Sequence, residues 1–208
     1  MAGLRGRRCL RDDREAVHET VRIVCGAARR LQQPTLSERV AIPYEGKFLY
    51  GNLRRPANTA KGSNTAKAPV VVMCMGLDSA KEEMDDYENR FLARGVATLA
   101  FDGPGQGEGE YDFGLCPEYE RPVKAVIDHI ETRSDLDASR IGIWGVSLGG
   151  YFAPRAEAQK LAAEVSGPCV LSVIEGGNHV VNNLWYRYRD QTADWMARQL
   201  LSQQPGAA

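Results

Sequence analysis

The chain has 208 residues, of which 43% are hydrophobic and 25% charged, with a net charge of −1 at neutral pH. That length suffices for one domain with a sizeable core, and the even charge balance excludes a general attraction to nucleic acid or to an anionic membrane. Five cysteines, odd in number and scattered without a CxxC pair or a Cys/His cluster, give neither a disulfide framework nor a zinc site and fit a reducing cytoplasm.

The Arg-dense start, LRGRRCLRDDR at residues 4–14, reads as a solvated helix start, because Asp12, Asp13 and Glu15 offset its arginines. No apolar segment follows it, so no secretory signal is expected. DDREAVHETVRIVCGAARRL places Ala16, Val17, Val21, Val24 and Ala28 on one helical stripe, and Pro34 ends it. We expect residues 1–34 to form a helical segment and residues 35–208 a single domain. SERVAIPYE and KFLYGNLRRP alternate apolar and polar residues, which predicts two antiparallel strands joined near Glu45-Gly46. ANTAKGSNTAKA, residues 57–68, repeats NTAK and is polar and turn-rich, hence a surface loop.

From there the pattern changes. PVVVMCM is apolar on both faces, as buried parallel strands are. The apolar run VVVMCMGL, residues 70–77, is far too short to span a bilayer. SAKEEMDDYENRFLARG reads as a helix, VATLAFD as a strand, YERPVKAVIDHIETR as a helix with Pro122 in its first turn, and RIGIWG as a strand. SLGGYFAPRAEAQKLAAE, CVLSVIE and NNLWYRYRDQTADWMARQLL continue as helix, strand and closing helix. Alternation with short links predicts an α/β fold with a mostly parallel sheet flanked by helices and antiparallel strands at its N-terminal side.

Gly145-Val146-Ser147-Leu148-Gly149 fits G-x-S-x-G. In a glycine-rich chain the bare match is weak, but its place between a buried strand and a helix is where a nucleophile elbow must sit. The turn is tight, so glycines flank the serine. The competing reading is a Ser-Gly turn that caps a helix. An oxyanion hole would use the backbone N–H of Leu148 and a second from the loop after the first parallel strand, where Gly76 and Leu77 are equal candidates. His18 and His129 lie in helical patterns. His179 follows a strand and a Gly pair in IEGGNH, which makes it the candidate base, against the alternative of a loop histidine without a role.

FDGPGQGEGE, YERPVKAVIDHIETR, RIGIWGVSLGGYFAPRA, the GGNH…ADWM ending and GLDSAKEE (76–83) together resemble the α/β-hydrolase subgroup of dihydroxypseudooxynicotine hydrolase and its FrsA-like relatives. The resemblance covers residues 36–156 and 173–201. DGPGQGE and GVSLGGY are fairly specific to the subgroup; G-x-S-x-G alone is not. It implies a Ser-Asp-His hydrolase acting on a small-molecule ester or ketone, with several members cleaving a carbon–carbon bond next to a carbonyl. Carried over, Ser147 is the nucleophile and His179 the base. Glu82 and Glu83 match the family's acidic pair and read as charges at a helix start rather than as chemistry.

The spacing departs from that pattern. Ser147 and His179 are 32 residues apart, which holds one αβ unit of about 25 residues where the family pattern requires three. The segment expected to carry the triad aspartate is missing. Loss of a triad acid can lower kcat about 10⁴-fold. If CVLSVIE pairs directly beside the Ser147 strand, His179 leaves the sheet two strand positions, roughly 10 Å, from its usual place, and whether the short EGGNH loop makes up that distance stays open. Glu175 is the acid near His179 that keeps the Ser, acid, His order; Asp190 and Asp194 follow the histidine and break it. The apolar strand at 169–174 would lie near an edge, which predicts a homodimer covering it or a poorly soluble chain. No cofactor is implied, since DGPGQGEG lacks the G-x-G-x-x-G spacing with a downstream acid. Three readings stay open: a serine hydrolase of C–C or ester bonds, a catalytically dead hydrolase-like chain that only binds, and an internally deleted copy without function.

Overall fold

A computed structural model describes residues 35–57, 67–150 and 174–202, with residues 16, 19–21, 23, 24, 26–28 and 31 of the first helical stretch. Among the described residues, five strands form one sheet: β1 (Glu38–Tyr44), β2 (Lys47–Arg54), β3 (Ala68–Cys74), β4 (Ala97–Asp102) and β5 (Leu136–Gly145), in the order β1-β2-β4-β3-β5. β1 and β2 pair antiparallel, as do β2 and β4, whereas β3 pairs parallel to both β4 and β5. Among the described residues the α-helices given whole are α1 (Asp85–Leu92), α2 (Glu120–Glu131) and α3 (Trp185–Ser202).

Local chemistry accounts for these elements. The β1–β2 hairpin closes with Tyr44 opposite Lys47, across Glu45 at φ 45° and Gly46 at φ 77°. Two left-handed residues in a two-residue loop suit the strands' own twist. β3 is buried along its whole length, and its side chains divide between two cores by the period of two that a strand imposes. Val70, Val72 and Cys74 pack with Leu99, Phe101 and the α2 residues Val123, Val126 and Ile130. Val71 and Met73 pack on the other face with Phe91 of α1, Trp144, and Ala193, Ala197 and Leu200 of α3. Helices on both faces are what an apolar parallel strand requires.

α3 docks on α1 through polar contacts as well. Arg94 bonds Asp190 at 3.1 Å and Asp194 at 2.6 Å, Arg90 bonds Asp190, and the Tyr87 and Tyr188 hydroxyls meet at 2.6 Å. Asp190 and Asp194 are therefore helix-docking residues.

Several expectations need correction. The helix expected from Ser79 opens as a 3-10 turn, Lys81–Met84, before α1 begins. β5 starts at Leu136, ahead of the expected Arg140, and its middle is exposed at Ala138 and Ser139. Where the stripe of the first helix is described, Ala16 and Val24 are exposed and Val21 and Ala28 half-buried. The strand expected at 169–174 and the helix expected after Gly150 lie almost wholly outside the described residues, as does most of the NTAK loop.

The register between β3 and β5 positions the site. Cys74, the last residue of β3, sits beside Gly145, the last of β5. The loops that leave these two strands are thereby side by side at the carboxyl edge of the sheet.

Candidate active site

The loop leaving β5 carries Ser147. Its φ is 54°, in the left-handed region that a serine avoids. The glycines around it are dictated by backbone contacts. A Cβ on Gly145 would lie 2.0 Å from the Gly149 carbonyl oxygen, and one on Gly149 would lie 2.1 Å from that of Cys74. The turn is closed by Gly149 N–H donating to Val146 O at 2.8 Å and Gly150 N–H to Ser147 O at 3.0 Å. This tight closure holds Ser147 exposed at the strand end, at the start of a helical turn.

His179 meets it there. Its Nε2 is 2.8 Å from Ser147 Oγ. The question left open by the strand count is thus answered: no gap of roughly 10 Å separates the two side chains. The loop that closes the distance is built on a pair of asparagines. Asn178 N–H donates to Asn183 Oδ1 at 2.9 Å, Asn183 N–H returns to Asn178 Oδ1 at 3.3 Å, and Asn183 Nδ2 donates to Gly176 O at 2.8 Å. Gly176 takes φ 75°, and Val180 and Val181 take φ 54° and 53°. Two successive β-branched residues in the left-handed region are strained, and the asparagine pair encloses that strain.

The remaining candidates are less close. Glu175 is exposed, and among the described residues no carboxylate is hydrogen-bonded to the His179 ring. His129 is half-buried on α2, where burial and Arg133 hold its pKa below the ordinary value against the pull of Glu38. His18 lies outside the described residues.

The loop leaving β3 runs from Met75 to Ala80. Gly76 is buried against Ser147: a Cβ on it would lie 3.6 Å from Ser147 Cβ and 3.2 Å from Ser79 Oγ. Leu77 is 55% exposed, and Leu148 is half-buried. Glu82 accepts from Asn52 Nδ2 at 3.3 Å and pairs with Lys81 at 3.1 Å. Glu83 accepts the Ala80 N–H at 3.2 Å. These contacts tie both acids to the start of the helical turn.

Below this loop is an ionic cluster that the sequence pattern did not reveal. Lys81 is fully buried and its Nζ lies 2.6 Å from Asp102 Oδ2 and 2.9 Å from Glu108 Oε2. Asp102 also accepts the backbone N–H of Lys81 at 2.8 Å and of Glu108 at 2.9 Å. Burial opposes the charge on Lys81, but the carboxylates outweigh it and hold the ammonium above its ordinary pKa. Burial pushes the Asp102 carboxyl up, against the pull of Lys81. The glycines of DGPGQGEGE make room for this arrangement. A Cβ on Gly107 would fall 2.3 Å from the Asp102 carboxyl carbon, and one on Gly109 2.4 Å from Gly103 O. The available signal was an aspartate at a strand end followed by glycines at alternate positions.

Among the described residues, no group of three His, Cys, Asp or Glu side chains is placed to hold a metal ion, and no helix is long and apolar enough to cross a membrane.

A family model described as "Esterase FrsA-like" matches residues 18–201. The chain is 39% identical over 141 residues to "Hydrolase LUC6" of Fusarium sp, covering 62% of this chain and 33% of that protein. It is 42% identical over 100 residues to "2,6-dihydropseudooxynicotine hydrolase" of Paenarthrobacter nicotinovorans, covering 47% of this chain and 27% of that one. The matched stretch is thus a third or less of these relatives' own length. The crystal structure of 2,6-dihydroxy-pseudo-oxynicotine hydrolase superposes with a TM-score of 0.71 at 24% identity, covering 88% of this chain and 73% of that one. That superposition identifies the fold as that of an α/β-hydrolase.

Proposed function

The chain belongs to the FrsA-like esterase family, and from that premise we propose that it is a serine hydrolase of small-molecule esters or β-diketones. The observation that carries the proposal is the 2.8 Å contact between Ser147 Oγ and His179 Nε2 on a strained elbow. Strain at a serine is tolerated where the conformation has a use, and a hydroxyl within hydrogen-bond reach of an imidazole is the geometry of an activated nucleophile.

In the first step the Ser147 Oγ–H proton passes to His179 Nε2 as Oγ bonds to the substrate carbonyl carbon. The carbonyl electron pair moves onto oxygen and is held by backbone N–H groups of Leu148 and of the Gly76–Leu77 loop. Collapse then breaks either the ester C–O bond or the C–C bond to a stabilised enolate, and the leaving group takes the proton from His179. Water, deprotonated by the same imidazole, releases the acyl group. The names of the relatives speak of hydrolases, which supports the reaction class. The C–C alternative rests on the subgroup resemblance. Glu175 keeps the expected chain order for a triad acid but has no described contact with the ring, so no step is routed through it.

A fluorophosphonate probe tests the reading. The wild-type chain is expected to be labelled and Ser147→Ala not. A folded wild-type sample that takes no label would refute it, and would leave the binding-only alternative standing.

A further inference from the structure

The segment after β4 takes no part in the proposed chemistry, yet it lies against the loop that faces Ser147. Gln106 is its centre and is 1% exposed. The side-chain amide Nε2 donates to two successive carbonyls of that loop, Met75 O at 3.0 Å and Gly76 O at 2.6 Å. The amide oxygen accepts from the Tyr119 hydroxyl at 2.5 Å. Both loop partners are acceptors only, so the NH₂ end must face them and Oε1 must face Tyr119. The amide therefore has a single workable orientation.

A peptide unit is planar and trans, so its C=O and N–H point to opposite sides. Drawing the Gly76 carbonyl toward Gln106 turns the Leu77 N–H away from Gln106. Drawing the Met75 carbonyl the same way does so for the Gly76 N–H. Gly76 itself lies against Ser147, with a Cβ on it falling 3.6 Å from Ser147 Cβ. We infer that Gln106 is a positioning residue for the oxyanion hole: it aims the N–H groups of Gly76 and Leu77, and Tyr119 fixes the amide that aims them. The inference rests on the serine-hydrolase reading. Glutamate is a poor replacement for Gln106: ionised it has no proton to give to two carbonyl oxygens, and protonated it has one O–H for the two. Gly103 belongs to the same device, since a Cβ there would fall 2.0 Å from the Tyr119 hydroxyl oxygen.

The test compares wild type, Gln106→Glu and Tyr119→Phe with p-nitrophenyl acetate as substrate and an aryl trifluoromethyl ketone, whose serine adduct carries an oxyanion, as inhibitor. Deleting an oxyanion donor outright costs about 10²–10³-fold in kcat, so misaiming the donors through Gln106→Glu is expected to cost about 10–100-fold with KM within about twofold. Ketone affinity is expected to fall by the same factor as kcat/KM. Tyr119→Phe keeps the ring, removes one hydroxyl, and is expected to cost about 3–10-fold; it serves where Gln106→Glu does not fold. A merely structural role would lower the melting temperature but leave kcat and ketone affinity of the folded protein at wild-type values. That result in either folded variant overturns the inference alone. Absence of Ser147-dependent fluorophosphonate labelling in the wild type overturns the serine-hydrolase reading and the inference with it.

Discussion

Replacing Lys81 with methionine isolates the buried cluster that underpins the site. Methionine keeps most of the stem's volume and removes the charge. The ammonium it deletes touches Asp102 at 2.6 Å, Glu108 at 2.9 Å and Glu82 at 3.1 Å. Glu108 keeps Arg39 at 2.9 Å, and Glu82 is partly exposed. Asp102 has no such relief: its side chain is fully buried, and its remaining partners are two backbone N–H groups. Removing one partner of a buried ion pair costs about 3–5 kcal/mol, because the other charge stays behind uncompensated. For a domain of this size that is a fall of about 6–20 °C in melting temperature, out of a typical stability of about 5–15 kcal/mol. Urea titration followed by circular dichroism measures it. Lys124→Met, which breaks an exposed pair with Asp128, is the control and should cost no more than about 0.5 kcal/mol. If Lys81→Met costs no more than that control, the buried carboxylate is compensated in some other way and the cost assigned to it is refuted.

Four further outcomes are expected. Ser147→Gly should abolish labelling while raising stability by about 1 kcal/mol, because glycine adopts φ 54° freely; a loss of stability in the melt would contradict the strain assigned to this turn. Gly149→Ala should leave little folded protein, since its Cβ would sit 2.1 Å from the Cys74 carbonyl oxygen and the contact is with backbone that cannot rotate aside; expression with a wild-type melt would count against that close approach. Burial pushes the Glu88 carboxyl up to about 7, against the pull of Arg54 and Thr98. The folded state then binds more protons than the unfolded one between about pH 4.5 and 7, so stability falls as pH rises through that window, by at most about 3 kcal/mol. Glu88→Gln should flatten the curve there, and an unchanged pH profile would show that Glu88 is already ionised. Asn183→Ala should release the His179 loop and lower kcat about tenfold or more, since small misplacements of catalytic groups are costly; full activity would show that the asparagine pair does not hold the histidine.

Much of the fold was legible because it follows from periodicity. The all-apolar β3, the alternating β1 and β2, and the glycine after Glu45 each have one good structural solution. The elbow was legible for a related reason: few residues other than glycine fit at 145 and 149 when carbonyl oxygens lie about 2 Å from their would-be Cβ atoms. The buried cluster was not legible, because it joins Lys81, Asp102 and Glu108 across elements. Lys81 in particular sits in a run of charges, KEEMDD, that any sequence reading assigns to solvent. The exposure of Val24 is the opposite case. An apolar stripe marks a face that can be buried, but does not name what buries it.

Strand counting left open whether the short loop brings His179 to Ser147, because strand spacing is only one way to measure that distance. Counting strands assumes that the loop after the last strand leaves along the sheet edge in a relaxed conformation. In GGNHVVNN the chain instead turns sharply, with Gly176, Val180 and Val181 all at positive φ. A turn of that kind costs on the order of 1–3 kcal/mol for each strained valine, and three hydrogen bonds between Gly176, Asn178 and Asn183 oppose it. At about 1 kcal/mol each, those bonds offset about 3 kcal/mol, all of the strain at its lower figure of about 2 and half of it at its upper figure of about 6. Strain beyond that is offset by contacts that α3 makes when it docks, through Ala193, Ala197 and Leu200 in the core and Asp190 and Asp194 on Arg90 and Arg94. On the upper figure, docking of α3 helps to set the position of His179. Weakening the α1–α3 contacts, for example by Arg94→Met, should reduce Ser147 labelling more steeply than it reduces melting temperature. Parallel losses in the two would place the control of His179 within the loop itself.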